Sequence, residues 1–452
     1  MSSQNSDSMW IRHLLRRAGF GHTPQEFDYY KGLGYKGTLD ELLNREHVNN
    51  DALESQIKEK QQFDFTNLAD LKRWWLYRMM FTKRPLEEKL TLFWHGHFAT
   101  SNRKVGHPYA MYLQNMLFRS YGMGSFHELL YNVSKDPAMI IWLDNQQNRK
   151  GKPNENYARE IMELFTLGIG NYTEQDIKEA ARAFTGWQTQ SSGFFFNPKQ
   201  HDNGSKTLLG VTGNLNGDDV VRILVARPAT AMFLARKLIR FFVFEDPSKE
   251  YVTRIAKVYS ASNYNIGQVL RAIFTSPEFL SKKAYHAHIK SPAELVVGTL
   301  KTLQIKKLDN DLPTSMARMG QNLFEPPNVK GWDGGEAWIA TDTMMERFNF
   351  AARVSSERFA DLKQAVATSE LLKKQGIHTN TQMVDYFLQL LVDGDVPGST
   401  RERLQAYVGS DIKGVPPADA AGAAQMPNDK ILDAKLRGLV HLIMTLPSYQ
   451  LA

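Results

Sequence analysis

The segment Pro153-Asn154-Glu155-Asn156-Tyr157-Ala158-Arg159-Glu160-Ile161-Met162-Glu163-Leu164-Phe165-Thr166-Leu167-Gly168 holds the densest polar chemistry in the chain. Asn154 after proline suits a helix N-cap and Gly168 a stop. Inside that helix Asn156, Arg159, Glu160 and Glu163 fall on one stripe, with Tyr157, Ile161, Leu164 and Phe165 opposite. Two readings of the stripe stand. It is a solvated face on which Arg159 pairs Glu163, or it is the wall of an internal polar site. In the second reading Arg159 is partly desolvated and holds one carboxylate ionised through bidentate hydrogen bonds. The other, more desolvated carboxylate keeps a proton for acid catalysis.

The next helix repeats the theme. Thr173-x-x-Asp176 has capping-box spacing, and Asp176, Glu179 and Arg182 share a face. Trp187 follows Gly186 at its end. The alternative is a surface ladder of ion pairs. Beyond it, His201-Asp202 lies in a glycine-containing stretch and offers a base with an orienting carboxylate, a saccharide contact or an Asx turn.

Phe93-Trp94-His95-Gly96-His97-Phe98 is the best histidine feature. On a regular helix two residues apart point away from each other, so His95 and His97 chelate one ion only if the helix ends at Gly96. A divalent metal there also needs further ligands, with Glu160, Glu163, His201 and Asp202 as completions. Otherwise both rings are core histidines. The loop Pro326-Pro327-Asn328-Val329-Lys330-Gly331-Trp332-Asp333-Gly334-Gly335-Glu336-Ala337-Trp338 is stiff and carries two indoles. It reads equally as a stacking platform for sugar rings and as a structural plug.

These residues need elements to position them. Apolar spacing and proline or Ser/Thr starts predict helices over 67–82, from Pro85 onward, and over 107–121, 125–133, 137–143, 154–167 and 173–186, then repeatedly to 445. The glycine-rich run 188–216 predicts one or two small β-hairpins. Residues 410–427 are Ala/Gly/Pro-rich and read as a loop. The expected architecture is all-α or nearly so: a core domain over 1–365 with the β insertion, and a C-terminal helical segment over 366–452 packed on it.

Composition bounds the function. A chain of 452 residues with 42% hydrophobic and 23% charged residues is globular. It has no cysteine, which removes disulfides, thiolate metal sites and a cysteine nucleophile. The +7 charge is spread thinly, with short clusters such as Arg16-Arg17 and Lys306-Lys307, so no nucleic-acid partner is expected. The N-terminus MSSQNSDSM lacks an apolar leader, and no run of 18 apolar residues occurs; the expectation is a cytoplasmic chain with no membrane partner, or an exported one if a natural leader was removed. Walker A, G-x-S-x-G, H-E-x-x-H and strand-preceded G-x-G-x-x-G motifs are missing, which argues against an NTPase, the common serine hydrolases, zincins and dinucleotide enzymes.

The sequence resembles a large, uncharacterised bacterial family, domain of unknown function 1800. The resemblance rests on Leu14-Leu15-Arg16-Arg17-Ala18-Gly19-Phe20-Gly21, the Phe93–Phe98 motif, Asn154–Glu160, Ala181-Arg182-Ala183-Phe184-Thr185-Gly186-Trp187 and His201-Asp202. It continues in Lys206–Gly210, Lys290-Ser291-Pro292 and Pro326–Trp332. It implies a mostly helical protein and carries no established activity. Relatives often look exported and are encoded beside a sulfatase-like family, which hints at extracellular polysaccharide.

The function expected from the residues is cleavage of glycosidic linkages, with an anionic polysaccharide as a suitable substrate. No cofactor is required. Glu160 and Glu163 are the acid and base candidates, with Asp176, Glu179, His201 and Asp202 as alternatives. Asn156, Arg159, Arg182 and Lys330 would meet polar or acidic groups, and Trp187 and Trp332 would stack rings. The rivals are a metal-dependent enzyme using His95 and His97, and a non-catalytic binding or scaffold protein.

Overall fold

A computed structural model describes residues 3–190, 193–356, 358–359, 362–363, 366, 368–410 and 429–452. The loop expected over 410–427 lies, beyond Ser410, outside the described residues. Among those described, 22 α-helices dominate, and the only sheets are three two-stranded antiparallel hairpins. The protein is mainly α-helical with a small β insertion, as its periodicity predicts.

Local signals set most helix ends. Thr23 and Glu26 close a capping box at the start of Pro24–Leu43, and Thr173 and Asp176 do the same for Glu174–Ala183. Proline occupies the first turn of Pro85–His97, Pro108–Tyr121, Pro137–Trp142, Pro228–Phe242 and Pro292–Thr302, where its missing N–H leaves no helical bond unmade. The 188–216 stretch forms two hairpins, Trp187–Gln190 with Gly193–Phe196 and Lys206–Leu208 with Val211–Gly213.

Apolar packing collects into two cores. The first joins Ser3–Arg17 to the helices between Phe126 and Phe274; the second joins Leu68–Phe81 to the helices from Pro292 to Met444. Helix Pro85–His97 runs between them, giving Phe93 and Trp94 to the first core and Leu92 to the second. Every residue of this helix except Gly96 is buried. Its polar side chains Glu88, Lys89, His95 and His97 therefore find their partners inside the protein.

Candidate functional site

The helix of the densest polar segment spans Asn156–Glu163, shorter than the expected 154–167 and without an Asn154 cap, and buries Tyr157 and Ile161 as its pattern predicts, with Ala158 and Met162 beside them. Its polar stripe is not an internal wall. Arg159 is about one-third exposed, and it is gripped by Glu174 through two bonds of 2.8 Å and by Glu155 at 3.4 Å, not by Glu163. Glu174 is largely exposed, so the expectation of a desolvated guanidinium is corrected to a surface ion-pair cluster. Asn156 is exposed and donates to Asp144 at 3.1 Å. Glu163 accepts from the Tyr172 hydroxyl at 2.7 Å. Glu160 is half-buried; burial and the neighbouring Glu163 push its carboxyl above the ordinary range against Arg159 and Lys330.

The second stripe has structural work. The short strand Lys206–Leu208 leaves backbone N–H groups pointing away from its hairpin partner, and these need acceptors. Glu179 accepts from Thr207 N at 3.3 Å, and Asp176 accepts from Leu209 N at 2.7 Å while capping its own helix through Thr173. Arg182 spans Glu179 at 2.8 Å and Asp202 at 2.8 Å, and Asp202 accepts from Gly204 N at 2.8 Å. The Arg182 guanidinium and the Gly204 N–H hold the Asp202 carboxyl down at about 2. His201 is buried and donates from Nδ1 to the Thr185 carbonyl at 2.8 Å. Together these groups fasten the second hairpin to helix Glu174–Ala183. Trp187 is 3% exposed and presents no ring face to a ligand. It packs on Gly217 so closely that a Cβ there would come within 2.3 Å of the indole.

His95 and His97 serve different partners. Helix geometry continues through His97, so the rings diverge as expected for a regular helix. His95 Nε2 accepts from Phe324 N at 3.0 Å, and the Phe324 carbonyl accepts from Asn102 N at 2.8 Å. Burial drives the His95 imidazole down to about 3, so it is a neutral acceptor. His97 donates from Nε2 to the Phe165 carbonyl at 3.1 Å and accepts at Nδ1 from Lys237 at 3.2 Å. The two rings do not fit a shared metal, and among the described residues no group of three or more His, Asp or Glu side chains is placed to hold one.

The His95-Gly96-His97 motif instead seats the tryptophan loop. His95 fixes the loop at Phe324, and its ring meets the Trp332 indole edge-on at 5.3 Å between centroids. Gly331 has φ +90°, and a Cβ there would lie 2.4 Å from the Gly96 carbonyl, so glycine is needed for this approach. Between the seated loop and helix Pro228–Phe242 opens a cleft of about 220 Å³. Trp332 and the largely buried Trp338 line it, with Lys237, Arg240 and Lys330 facing Glu245, Glu294 and Asp333, and with His97 and His288 beside them.

These polar groups differ in how well they are matched. Glu294 closes a capping box on Ser291, pairs with Lys89 and lies 3.6 Å from His288 Nε2. Burial alone would raise its carboxyl, but Lys89 and His288 more than offset this and keep it ionised. His288 Nδ1 is buried with no hydrogen-bond partner among the described residues. Lys237 forms no ion pair there either; burial and then Arg240 bring its ammonium down to about 8. Lys330 is exposed at the cleft edge and likewise lacks a contact ion pair among the described residues.

Of the residues singled out from the sequence, the structure brings His97, Lys330, Trp332 and Trp338 to this cleft, with His95 seating the loop. Sequence reading missed Lys237, Arg240, Glu245, His288 and Glu294 as site residues. Ser291-x-x-Glu294 is a readable capping signal, but Lys237 stands as one lysine in an amphipathic helix and gives no signal of its surroundings.

Fold and site thus define a mainly α-helical protein with a tryptophan-walled, charge-lined cleft between two cores. Residues 13–451 match the model of a family described as a protein of unknown function (DUF1800), and the chain belongs to that family. No curated protein and no solved structure matches it.

Proposed function

We propose that this protein binds an anionic saccharide in the Trp332–Lys237 cleft and cleaves its glycosidic linkages. The observation that carries this reading is a cleft with indoles on its wall and two cations, Lys237 and Lys330, without carboxylate partners among the described residues. Sugar rings present C–H faces that pack on indoles, and acidic groups on the same ring neutralise such cations. The unpartnered Nδ1 of buried His288 supplies a further polar contact. Of the acid–base candidates read from the sequence, Glu160 alone combines partial burial with a raised carboxyl, and it lies within electrostatic reach of Lys330. Glu163, Asp176, Glu179, His201 and Asp202 are engaged elsewhere in hydrogen bonds.

The test is a panel of neutral, uronic and sulfated glycans titrated into purified protein by calorimetry, with products read by mass spectrometry. Acidic glycans bind and are shortened, and Trp332→Ala weakens binding at least tenfold. Binding of neutral glycans alone, or of none, overturns the reading.

A further inference from the structure

Among the charged groups that line the cleft, Glu294 and Arg240 are paired, Lys330 and Asp333 lie exposed at its edge, and Lys237 is buried with no ion pair among the described residues. Glu294 is matched by Lys89 and its own helix start, and Arg240 by Glu245 at 2.9 Å. Lys237 has a neutral imidazole as its hydrogen-bond partner and another cation, Arg240, as its electrostatic neighbour. His97 cannot trade roles with it. The Phe165 carbonyl fixes the proton on Nε2, so Nδ1 always offers Lys237 a lone pair. A single neutral acceptor is thus the only hydrogen-bond partner of the ammonium form among the described residues, with no carboxylate in ion-pair contact, and the amine is held in place for use as a base.

Resting on the saccharide reading above, we propose that Lys237 is the base of a β-elimination that cleaves uronate-containing polysaccharides. The unprotonated Lys237 Nζ takes the hydrogen from C5, the carbon bearing the uronate carboxylate. The C–H electron pair becomes the C4=C5 double bond, and the C4–O bond breaks with its pair going to the leaving oxygen. The Lys237 ammonium then returns its proton to that oxygen. Water is neither consumed nor formed, and no oxidant or reductant enters. Developing charge on the carboxylate needs nearby cations, and Lys330 and Arg240 line the same cleft. Trp332 packs the ring against which the leaving sugar is held.

The full-length protein is incubated with polygalacturonate, alginate and hyaluronate in water enriched in oxygen-18. Elimination gives products with the ultraviolet absorbance of a conjugated unsaturated carboxylate and no heavy oxygen at the cut. Lys237→Met and Lys237→Arg each lose more than about 100-fold in kcat with calorimetric binding within a few-fold of wild type, because arginine keeps the charge but does not act as a base. If Lys237→Met fails to fold, the arginine variant carries the comparison. Cleavage that incorporates one heavy oxygen per cut and yields no new absorbance is hydrolysis; it overturns the elimination and leaves the saccharide reading standing. Full kcat in either lysine variant overturns the role of Lys237. Absence of binding to all three uronates and to the sulfated glycans overturns both readings.

Discussion

Two clusters of charges show how far composition and spacing go. In one, Arg159 lies between Glu155 and Glu174 on the surface. In the other, Glu88 is fully buried between Arg78 and Arg119, accepting bonds of 3.0, 2.8 and 2.8 Å from their guanidinium groups and a fourth of 3.0 Å from the Trp75 indole. Arg78 reaches on to Glu54 at 2.7 and 2.9 Å. Both clusters use the same residue types on helices. They differ in what covers them: water over Glu174, and helices Leu68–Phe81 and Pro108–Tyr121 over Glu88. Coulomb attraction is screened at the first and undiminished by solvent at the second, where stranding one charge is costly.

The difference is open to direct attack. Glu88→Ala strands the buried Arg119 guanidinium, leaves Arg78 with Glu54 as its carboxylate partner, and is expected to cost about 3–5 kcal/mol, read by urea unfolding with coincident fluorescence and circular dichroism transitions. A cost below about 1 kcal/mol would erase the contrast between the clusters.

Acid gives a second handle. Burial alone would raise the Glu88 carboxyl, but Arg119 and Arg78 outweigh it and hold it at about 2 against an ordinary 4.5. As pH falls the unfolded chain binds this proton first, so the contribution is complete above about pH 4.5 and is lost as pH drops toward about 2. Glu88→Gln should therefore flatten the wild-type decline of stability across that window. An unchanged slope counts against the ion pairing.

Arg182 stands between the two extremes, with side chains about a quarter exposed on its own part and less on its partners'. Arg182→Ala is expected to cost roughly 1 kcal/mol and to speed amide hydrogen exchange at 201–209 more than elsewhere, because it releases the hairpin from its helix. Uniform exchange across the chain would deny it that fastening role.

The smallest effect is expected at Arg159. With solvent around Glu174, Arg159→Ala should cost about 0.2–1 kcal/mol, less at high salt, and leave cleft binding unchanged. A loss near that of Glu88→Ala would return this stripe to the interior.

Legibility followed the range of the interaction that decides each feature. The capping box of Thr173 and Asp176 was readable because its partners are three residues apart. The apolar face of Asn156–Glu163 was readable because a helix repeats every few residues. The work of Asp176 and Glu179 was not, since their acceptors meet Leu209 N and Thr207 N some thirty residues on. The Pro85–His97 helix misled most. Its Leu86, Leu90, Phe93 and Trp94 are visible as an inward face, but a second core covers the side bearing Glu88 and His95 as well.

By itself, the sequence determined the helical class, most helix starts and the two-hairpin insertion, because local hydrogen bonding and periodic burial of apolar side chains act within a few turns of chain. It also marked the His95-Gly96-His97 and Gly331-Trp332 motifs without saying that one seats the other. Only the tertiary structure decided which polar stripe faced water, and only it put Lys237, 140 residues from His97, within 3.2 Å of that ring. Desolvation and charge pairing depend on what packs around a group, and that is settled when distant helices close over it.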